Sequence, residues 1–547
     1  MDEEEIGILS DPNNMEQVSD ILQRFLKNNE NVFSFPNLSE NSRALLWTAL
    51  FQQLQNPDAA PVHALSLASV RVLSRDKEGL ENLITEKWIT VLIERAGLYN
   101  FEVLDEESAV PIINIPNKDV AMEALKCLCN IAFNSEVARA LCAHTSIAQG
   151  LVARMRVYKD IPFKEDIMLY DMKLLFILTA LRRDIKLKIR CELHGMDYLI
   201  SCLNELLLEA SRTEIVGATS GLVEGGPHYF LNDSQQAIAC ENLKTQFNLV
   251  LQATTEEEDE AMYMKIMPVL TALLYAHTTC EEKLMELRIN IANLLTSVPL
   301  TFYPFLTPQL NSGEKAQYVF DGRNMDALQA LVQLLQYKLT NTTNTKYQYE
   351  NLSPILTVMN KCARGCREQR KYLRQVVLPP LRDVHRRPEQ GHTLRNQMCR
   401  LLTTPVTSVR DLVAEFLFVL CKEKVGRMVK YTGFGNAAGH LAQKGLLGGS
   451  EGALYSSSSD DSDTDEYLEA QPNIDPVVGC TMPPRVNPFE GMSEEQKEYE
   501  AMKLVNLFDK MVSEGVVKPA RVGPDGRPQP IEHVLEFREH TPNRPQS

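Results

Sequence analysis

An all-α protein built of stacked helical repeats is what this sequence predicts. Three observations carry the prediction: apolar residues recur at helical intervals, one short pattern returns along the chain, and strand signals are missing. From about Met15 to Lys424, amphipathic segments of helical length succeed one another. They cover Val18–Leu26, Ser42–Gln55, His63–Ser74, Val120–Asn134, Asp171–Arg182, Ser234–Ala253, Lys265–His277, Glu281–Leu295, Met325–Tyr337 and Ser408–Cys421. Each sets Leu, Ile, Val, Met or Phe three and four residues apart, which gathers them on one side of a helix. Alternating β-type runs bounded by hairpin dipeptides are absent.

Ser66–Arg75, Leu125–Asn134, Met172–Leu181 and Leu243–Gln252 lie over one another with Arg71, Asn130, Ile177 and Asn248 at one position. The spacings are 59, 47 and 71 residues, the last containing a Gly-rich insertion near Val216–Asp233. Without about 18 inserted residues that spacing is roughly 53, near or slightly above a HEAT or armadillo unit. Such units cannot bury their apolar faces alone, so they stack into a superhelix with a concave groove. Ala109–Lys118, Val216–Asp233 and Val298–Gly322 are rich in Pro, Gly or polar residues and are expected to be surface loops. Glu256–Glu260 reads as a solvated acidic block opening a helix, where negative charge suits the macrodipole.

After Lys424 the composition shifts. Six glycines crowd between Gly433 and Gly449, followed by the acidic-serine stretch Tyr455–Tyr467, and such residues bury little. The expected organisation is a helical solenoid over 1–424, a disordered linker over 425–490, a C-terminal amphipathic helix over 491–514 and a disordered tail over 515–547. Ser493 and Gln496 form a capping box for that helix, and Met502, Val505, Phe508 and Met511 make its apolar stripe. The stripe either caps the repeat array or docks on a partner, where a tethered helix profits from raised effective concentration.

Composition excludes several classes of function. At 547 residues the chain is too long for one core, and with 44% apolar and 23% charged residues it is ordinary for a folded soluble protein. The acidic start Met1–Glu5 is unlike a targeting segment, and Leu174–Leu181 is too short an apolar run to span a membrane. A formal charge of −16 disfavours a nucleic-acid partner. Locally, Lys361–Arg400 carries eleven Lys/Arg against Glu368, Asp383 and Glu389, a balance of +8. This is either a solvated helix face or a docking patch for an acidic partner or anionic lipid. The twelve cysteines include no CxxC pair, and Cys362 and Cys366 lack a matching pair at zinc spacing, so buried reduced thiols are expected and no metal. No GxxxxGK[ST] is present, and Tyr431–Gly439 (YTGFGNAAG) follows a helix rather than a strand, so it reads as a helix terminator with tight turns. Neither a catalytic residue nor a cofactor is expected.

The partner-binding candidates lie on the aligned helices. Arg71 and Arg75 share a face, as do Asn130 and Asn134, and Lys244 and Asn248 extend the row. Such residues can hold another chain's backbone or carboxylate. Alternatively, the asparagines bridge adjacent repeats and the arginines meet local acids such as Asp76. In the acidic stretch, Ser457 and Ser462 each precede an aspartate by three residues, which suits a casein kinase 2-type kinase. A phosphorylated stretch would be drawn onto a basic surface such as Lys361–Arg400.

Several segments together resemble the synembryn family of G-protein α-subunit exchange factors and chaperones. They are Val70–Lys77 (VRVLSRDK), Cys127–Ser135 (CLCNIAFNS), Leu174–Arg182 (LLFILTALR), Val377–Glu389 (VLPPLRDVHRRPE), Glu415–Glu423 (EFLFVLCKE), Lys430–Ala442 (KYTGFGNAAGHLA) and Glu490–Lys510. The resemblance implies that Arg71 and Arg75, aided by Asn130, contact the terminal carboxylate of the α subunit's last helix. It adds Phe176, Lys244, Phe247 and Asn248 as groove members. The tail helix, through Met502, Val505 and Phe508, would contact the nucleotide-binding domain, and Ser457 and Ser462 would be the kinase sites. It implies a monomer, cytoplasmic and recruited by its partner to the cell cortex or plasma membrane, without an anchor of its own. The rival reading is a helical-repeat adaptor or transport receptor of the importin or catenin kind. That reading needs a regular Trp/Asn ladder, and only Trp47 and Trp88 exist.

Overall fold

The structure, a computed structural model, describes residues 3–9, 15–98, 115, 117–161, 163–212, 229–251, 256–342, 344–447, 463–482 and 491–531. It divides into two compact units, Met1–Val319 with Asn324–Ala330, and Phe320–Arg323 with Leu331–Ser547.

The first unit starts with α1 (Glu3–Leu9) and α2 (Met15–Asn28). Then come α3 (Glu40–Gln55), α4 (His63–Leu73), α5 (Leu80–Leu83), α6 (Glu86–Arg95) and α7 (Lys118–Asn134). They are followed by α8 (Glu136–Ala143), α9 (Ile147–Met155), α10 (Lys164–Leu181), α11 (Arg183–Leu187) and α12 (Gly195–Arg212). The last are α13 (Asp233–Val250), α14 (Glu256–Leu274) and α15 (Glu281–Leu295). Two layers result. In one, α4, α7, α10, α13 and α15 pack each on the next; in the other, α3, α6, α8, α9, α12 and α14 do so. Strand structure is confined to short ladders among the described residues, such as Tyr229–Leu231 parallel to Ala276–Thr278.

Local chemistry explains where these helices begin. Asn117 accepts from the Asp119 and Val120 amides at the start of α7, and Asn232 with Gln235 forms a full capping box on α13. The α7 helix buries Val120, Ala121, Ala124, Leu125, Cys127, Leu128 and Ile131. Fully buried leucines of this kind each contribute about 1.5–3 kcal/mol. Its small residues also let α4 come close enough for the Cys127 thiol to reach the Leu67 carbonyl at 3.0 Å.

Charge is used inside as well. Arg154 on α9 donates to the Ala96 carbonyl at 2.6 Å and to Asp171 on α10 at 2.8 Å, and Tyr158 donates to the same carboxylate at 2.8 Å. The Arg154 and Asp171 side chains have 0% exposure. Arg43 on α3 similarly donates to the Leu73 and Asp76 carbonyls at 3.1 and 2.8 Å, closing the C-terminal end of α4 where cations are favoured.

The second unit takes in residues 331–341 of α16 (Asp326–Asn341), then α17 (Gln348–Gly365), α18 (Arg367–Val377), α19 (Leu394–Leu401) and α20 (Thr407–Leu420). It continues through α21 (Val425–Thr432), α22 (Phe434–Gln443), α23 (Asp465–Ala470) and α24 (Glu494–Ser513). The α20 helix is its centre, packed by α17, α18, α19, α21 and α22, with Phe416, Leu417 and Leu420 at 0% exposure.

Four expectations need correction. The linker does not begin at 425: α21 and α22 bury Met428, Tyr431, Ala437 and Leu441 against the unit. Glycine content was misleading because Gly433 serves packing. At φ +76° it ends α21, and a Cβ there would meet the Val477 and Val478 carbonyl oxygens at 3.2 and 3.1 Å. Stripped of a side chain, the turn lets the Phe434 and Gly435 amides donate to Pro476 and Val477 at 2.8 and 2.9 Å. Gly435 and Gly439 then lie inside α22, so Tyr431–Gly439 is a stop and a new helix, not a string of turns. Residues 463–482 are also docked: Asp463 pairs with Lys430, whose ammonium lies 4.4 Å from the Tyr467 ring centroid, and the Thr481 amide donates to Val384 at 2.9 Å.

The second correction concerns 515–547, where Ala520–Val522 pairs antiparallel with Pro528–Pro530 and the Leu447 amide donates to Gly526 at 3.1 Å. The third is Val298–Gly322, expected as a surface loop. Within it Leu300–Leu306 forms a 3-10 helix burying Phe302, Tyr303 and Leu306, because it packs on α14, with the Phe302 ring 5.3 Å from that of Tyr263, and Tyr303 donates to the Leu295 carbonyl at 2.8 Å. Last, two of the thiols expected to be buried, Cys191 and Cys280, are exposed, lying at helix junctions rather than on packed faces. Most of Ala109–Lys118 and Val216–Asp233 lies outside the described residues.

Candidate partner-binding site

The α4, α7, α10 and α13 helices bury one side against the other layer and each other, and leave a stripe of half-exposed residues on the remaining side. The repeat alignment puts those stripes in register. Arg71 comes from α4, Asn130 and Asn134 from α7, Phe176 and Ile177 from α10, and Lys244, Phe247 and Asn248 from α13; all are half-buried. Arg75, half-buried too, lies in the turn just after α4, which ends at Leu73, so the helix face expected to carry both arginines carries Arg71 alone.

The asparagines tie repeats together. Asn130 donates from Nδ2 to the Arg71 carbonyl at 3.2 Å, and Asn134 to the Ser74 carbonyl at 2.8 Å. Two repeats on, Asn248 donates to the Phe176 carbonyl at 3.3 Å and the Thr179 hydroxyl at 3.1 Å. The second unit has its own version, Asn360 of α17 donating to Leu412 of α20 at 3.0 Å. The bridging role expected as an alternative is therefore filled by the N–H groups. A side-chain amide has two of these and a carbonyl oxygen, and one bond from Asn130 leaves the oxygen without a protein partner among the described residues.

The arginines behave differently from one another. Arg75 donates to the Glu30 carbonyl at 2.8 Å, and its guanidinium lies 5.3 Å from the Phe33 ring, so it braces the turn after α2. Burial, and then the neighbouring Arg71 charge, lower its pKa from the ordinary arginine value. Arg71 does not meet Asp76, which instead accepts the Phe35 amide at 2.9 Å and lies 3.6 Å from Arg43. It donates from Nε across the repeat boundary to Glu123 of α7 at 2.7 Å.

Glu123 belongs to a set of which sequence reasoning found only Lys244. One turn before the aligned positions lie Lys126, Lys173 and Lys244, and one turn earlier again lie Glu123, Tyr170 and Glu241. Lys126 pairs with Glu123 at 2.7 Å and Lys244 with Glu241 at 2.9 Å. In α10 tyrosine replaces the acid, and the Lys126 and Lys173 ammonium groups lie 5.4 and 4.9 Å from its ring centroid. Lys244 is 5.8 Å from the Phe176 ring. The signal was available as a Glu-x-x-Lys pair at equal places in two repeats, but its acid lies two residues ahead of the aligned ten-residue stretches. Past the row's other end, Phe133, Leu181 and Leu251 are exposed. Cations and aromatics beside an apolar edge suit an amphipathic segment ending in a carboxylate.

The tail helix α24 offers a second surface. None of its residues is buried, and Met502, Val505 and Phe508 are 68%, 50% and 38% exposed. The stripe is thus not buried in the way the capping alternative requires. Ser457 and Ser462 lie outside the described residues. No helix among the described residues is long and apolar enough to cross a membrane, and no His/Cys/Asp/Glu group among them has a metal-holding arrangement.

The family described as guanine nucleotide exchange factor synembryn (Ric8) matches residues 66–527. The chain is 39% identical over 523 residues to "Chaperone Ric-8A" of Gallus gallus, covering 94% of this chain and 93% of the relative. It is 36% identical over 565 residues to "Chaperone Ric-8" of Drosophila pseudoobscura pseudoobscura, covering 97% and 96%. Among solved structures, a SYS-1/POP-1 complex is similar at 13% identity and TM-score 0.47, covering 83% of this chain and 71% of that one.

Proposed function

From the premise that this chain belongs to the synembryn family of guanine nucleotide exchange factors, we propose that it releases GDP from heterotrimeric G-protein α subunits and chaperones them, by seizing the α subunit's last helix on the α4–α13 face. The observation that carries the reading is that face itself. Arg71, the free oxygen of Asn130 and the lysine row stand ready for a C-terminal carboxylate and polar backbone, with Phe176 and Phe247 beside them.

The mechanism is differential binding. Holding the last helix away from its own domain weakens the GDP pocket, so the face binds the open, nucleotide-free or incompletely folded state better than the closed one. GTP then re-forms the pocket and expels the helper. A ligand shifts an equilibrium only by its preference between states, and the same preference accounts for both exchange and chaperoning. No covalent bond is made or broken by this chain. The exposed Met502, Val505 and Phe508 of α24 would hold the nucleotide-binding domain while its terminal helix is occupied. Phosphorylation of Ser457 and Ser462 by a casein kinase 2-type kinase, a monomeric state, and recruitment from the cytoplasm to the cell cortex by the partner complete the proposal.

The test is GTPγS uptake by a GDP-loaded α subunit, run with and without this protein. Acceleration that disappears in Arg71→Ala/Arg75→Ala protein of unchanged melting temperature supports the reading. Stable binding with no acceleration would instead make the chain a helical-repeat adaptor.

A further inference from the structure

We infer that Glu123 is a built-in competitor for the partner's carboxylate: it occupies Arg71 in the free protein and hands the guanidinium over when a chain terminus arrives. The inference rests on the proposed docking of a carboxylate at Arg71 and adds how that docking is made selective.

Three features carry it. First, the Arg71–Glu123 contact is a 2.7 Å pair joining α4 to α7, with side chains 27% and 16% exposed. The cation expected to receive a ligand is therefore already neutralised by a half-buried acid. Only Nε is engaged, so the two terminal nitrogens of the guanidinium have no partner among the described residues and give an incoming carboxylate a first foothold, from which it draws the guanidinium away from Glu123. Second, release of Arg71 does not strand Glu123. Its Oε2 faces Arg71, while its Oε1 accepts from Lys126 at 2.7 Å. An acid that keeps one cation on losing another escapes most of the penalty of a bare half-buried charge. The α4 backbone at Arg71 is meanwhile fixed by Asn130, so only the arginine side chain has to turn.

Third, the face contains its own control. Glu241 and Lys244 of α13 repeat the acid–lysine pair at 2.9 Å, but the residue of α10 aligned with Arg71 is Ile177. Among the described residues Glu241 therefore pairs with its own lysine, whereas Glu123 bridges two repeats. In functional terms, Glu123 sets a threshold. A peptide carbonyl or a single side-chain dipole cannot displace a carboxylate from arginine, whereas a terminal carboxylate held in place by an entire bound segment can.

The experiment measures binding of a synthetic peptide covering the C-terminal helix of a G-protein α subunit, as free acid and as C-terminal amide, to the full-length protein. Glu123→Gln keeps the shape and removes the charge. It is expected to tighten the free-acid peptide about five-fold, the scale of one partly exposed ion pair, and to leave the amide unchanged. Glu241→Gln removes the same charge from the same face and should move acid and amide by equal factors. In Arg71→Ala protein the Glu123→Gln gain should vanish, since the two act through one contact. Equal gains for acid and amide in Glu123→Gln, or weaker binding of the acid, would overturn the competitor role. If Arg71→Ala alone leaves the free-acid peptide unaffected, it is the docking site that fails. If Arg71→Ala weakens binding while Glu123→Gln does nothing, the site stands and the competitor does not.

Discussion

The α4–α13 face and the α24 helix present contact residues in opposite ways. On the face, the polar side chains that would touch a partner are tied to neighbours: Arg71 to Glu123, Asn134 to Ser74, Lys244 to Glu241. Their backbones belong to helices with fully buried leucines. On α24, Met502, Val505 and Phe508 are exposed, and the helix is supported by its own sequence: the Ser493–Gln496 capping box, Glu494 and Glu495 in the first turn, Lys510 in the last. A pre-organised surface binds with little ordering cost, whereas an unpacked helix forgoes that advantage and gains freedom to adjust. The contrast fits a helper that grips one part of its client rigidly and follows another as it moves.

The comparison can be broken at its frame. Arg154→Ala removes one partner of a fully buried ion pair and is expected to cost about 3–5 kcal/mol, seen as a large fall in the first unit's melting temperature. If melting is unchanged, the face is not stiffened from within. Met502→Ala/Phe508→Ala bears on the other side. Exchange acceleration should fall about ten-fold, equivalent to about 1.4 kcal/mol, with the melting temperature preserved; a shared fall in both would mean α24 is a packed element after all. Asn134→Ala, which deletes one inter-repeat bond, should cost about 1 kcal/mol in chemical denaturation. Ser493→Ala should cost α24 about 0.5–1 kcal/mol, read as faster hydrogen exchange of α24 amides while those of α7 stay protected.

The smallest effect expected is with pH. His63 accepts burial between the Gln53 and Asn56 carbonyls, and His440 packs edge-on against Phe418 at 5.3 Å. Burial lowers both imidazoles from the ordinary 6.5, although Asn56 and Glu415 pull the other way. The unfolded chain therefore takes up protons first as pH falls. The stability these neutral rings support is present above about pH 6.5 and declines below it. Melting temperature should drop between pH 7.5 and 5.5, and replacing both histidines with glutamine should flatten that slope.

The helical repeats were legible because burial imposes its period on the sequence: Leu125, Leu128 and Ile131 of α7 are spaced by the helix and are all buried. The row of Arg71, Asn130 and Asn248 was legible for the same reason, since aligning buried neighbours also aligns the exposed residue between them. Glu123, Tyr170 and Lys173 escaped because their meaning is relational. A glutamate in a helix says nothing until the next helix brings an arginine to it. Composition misled after 425. Glycine there permits backbone approach at Gly433, a use that a count of poor core formers cannot register. The Ala520–Pro530 ladder left a local sign that went unread, Pro524-Asp525-Gly526, a turn sequence between its strands.

Arg154 also bears on where this array can be divided. One guanidinium reaches back to the carbonyl that follows α6 and forward to an acid on α10, so the segments before and after α9 are not independent modules. A fragment that ends between them exposes or strands an ionised group, and the same holds for a circular permutant opened there. Whoever shortens, splices or lengthens this chain should cut on the far side of α10, where such a break leaves that charge its partners.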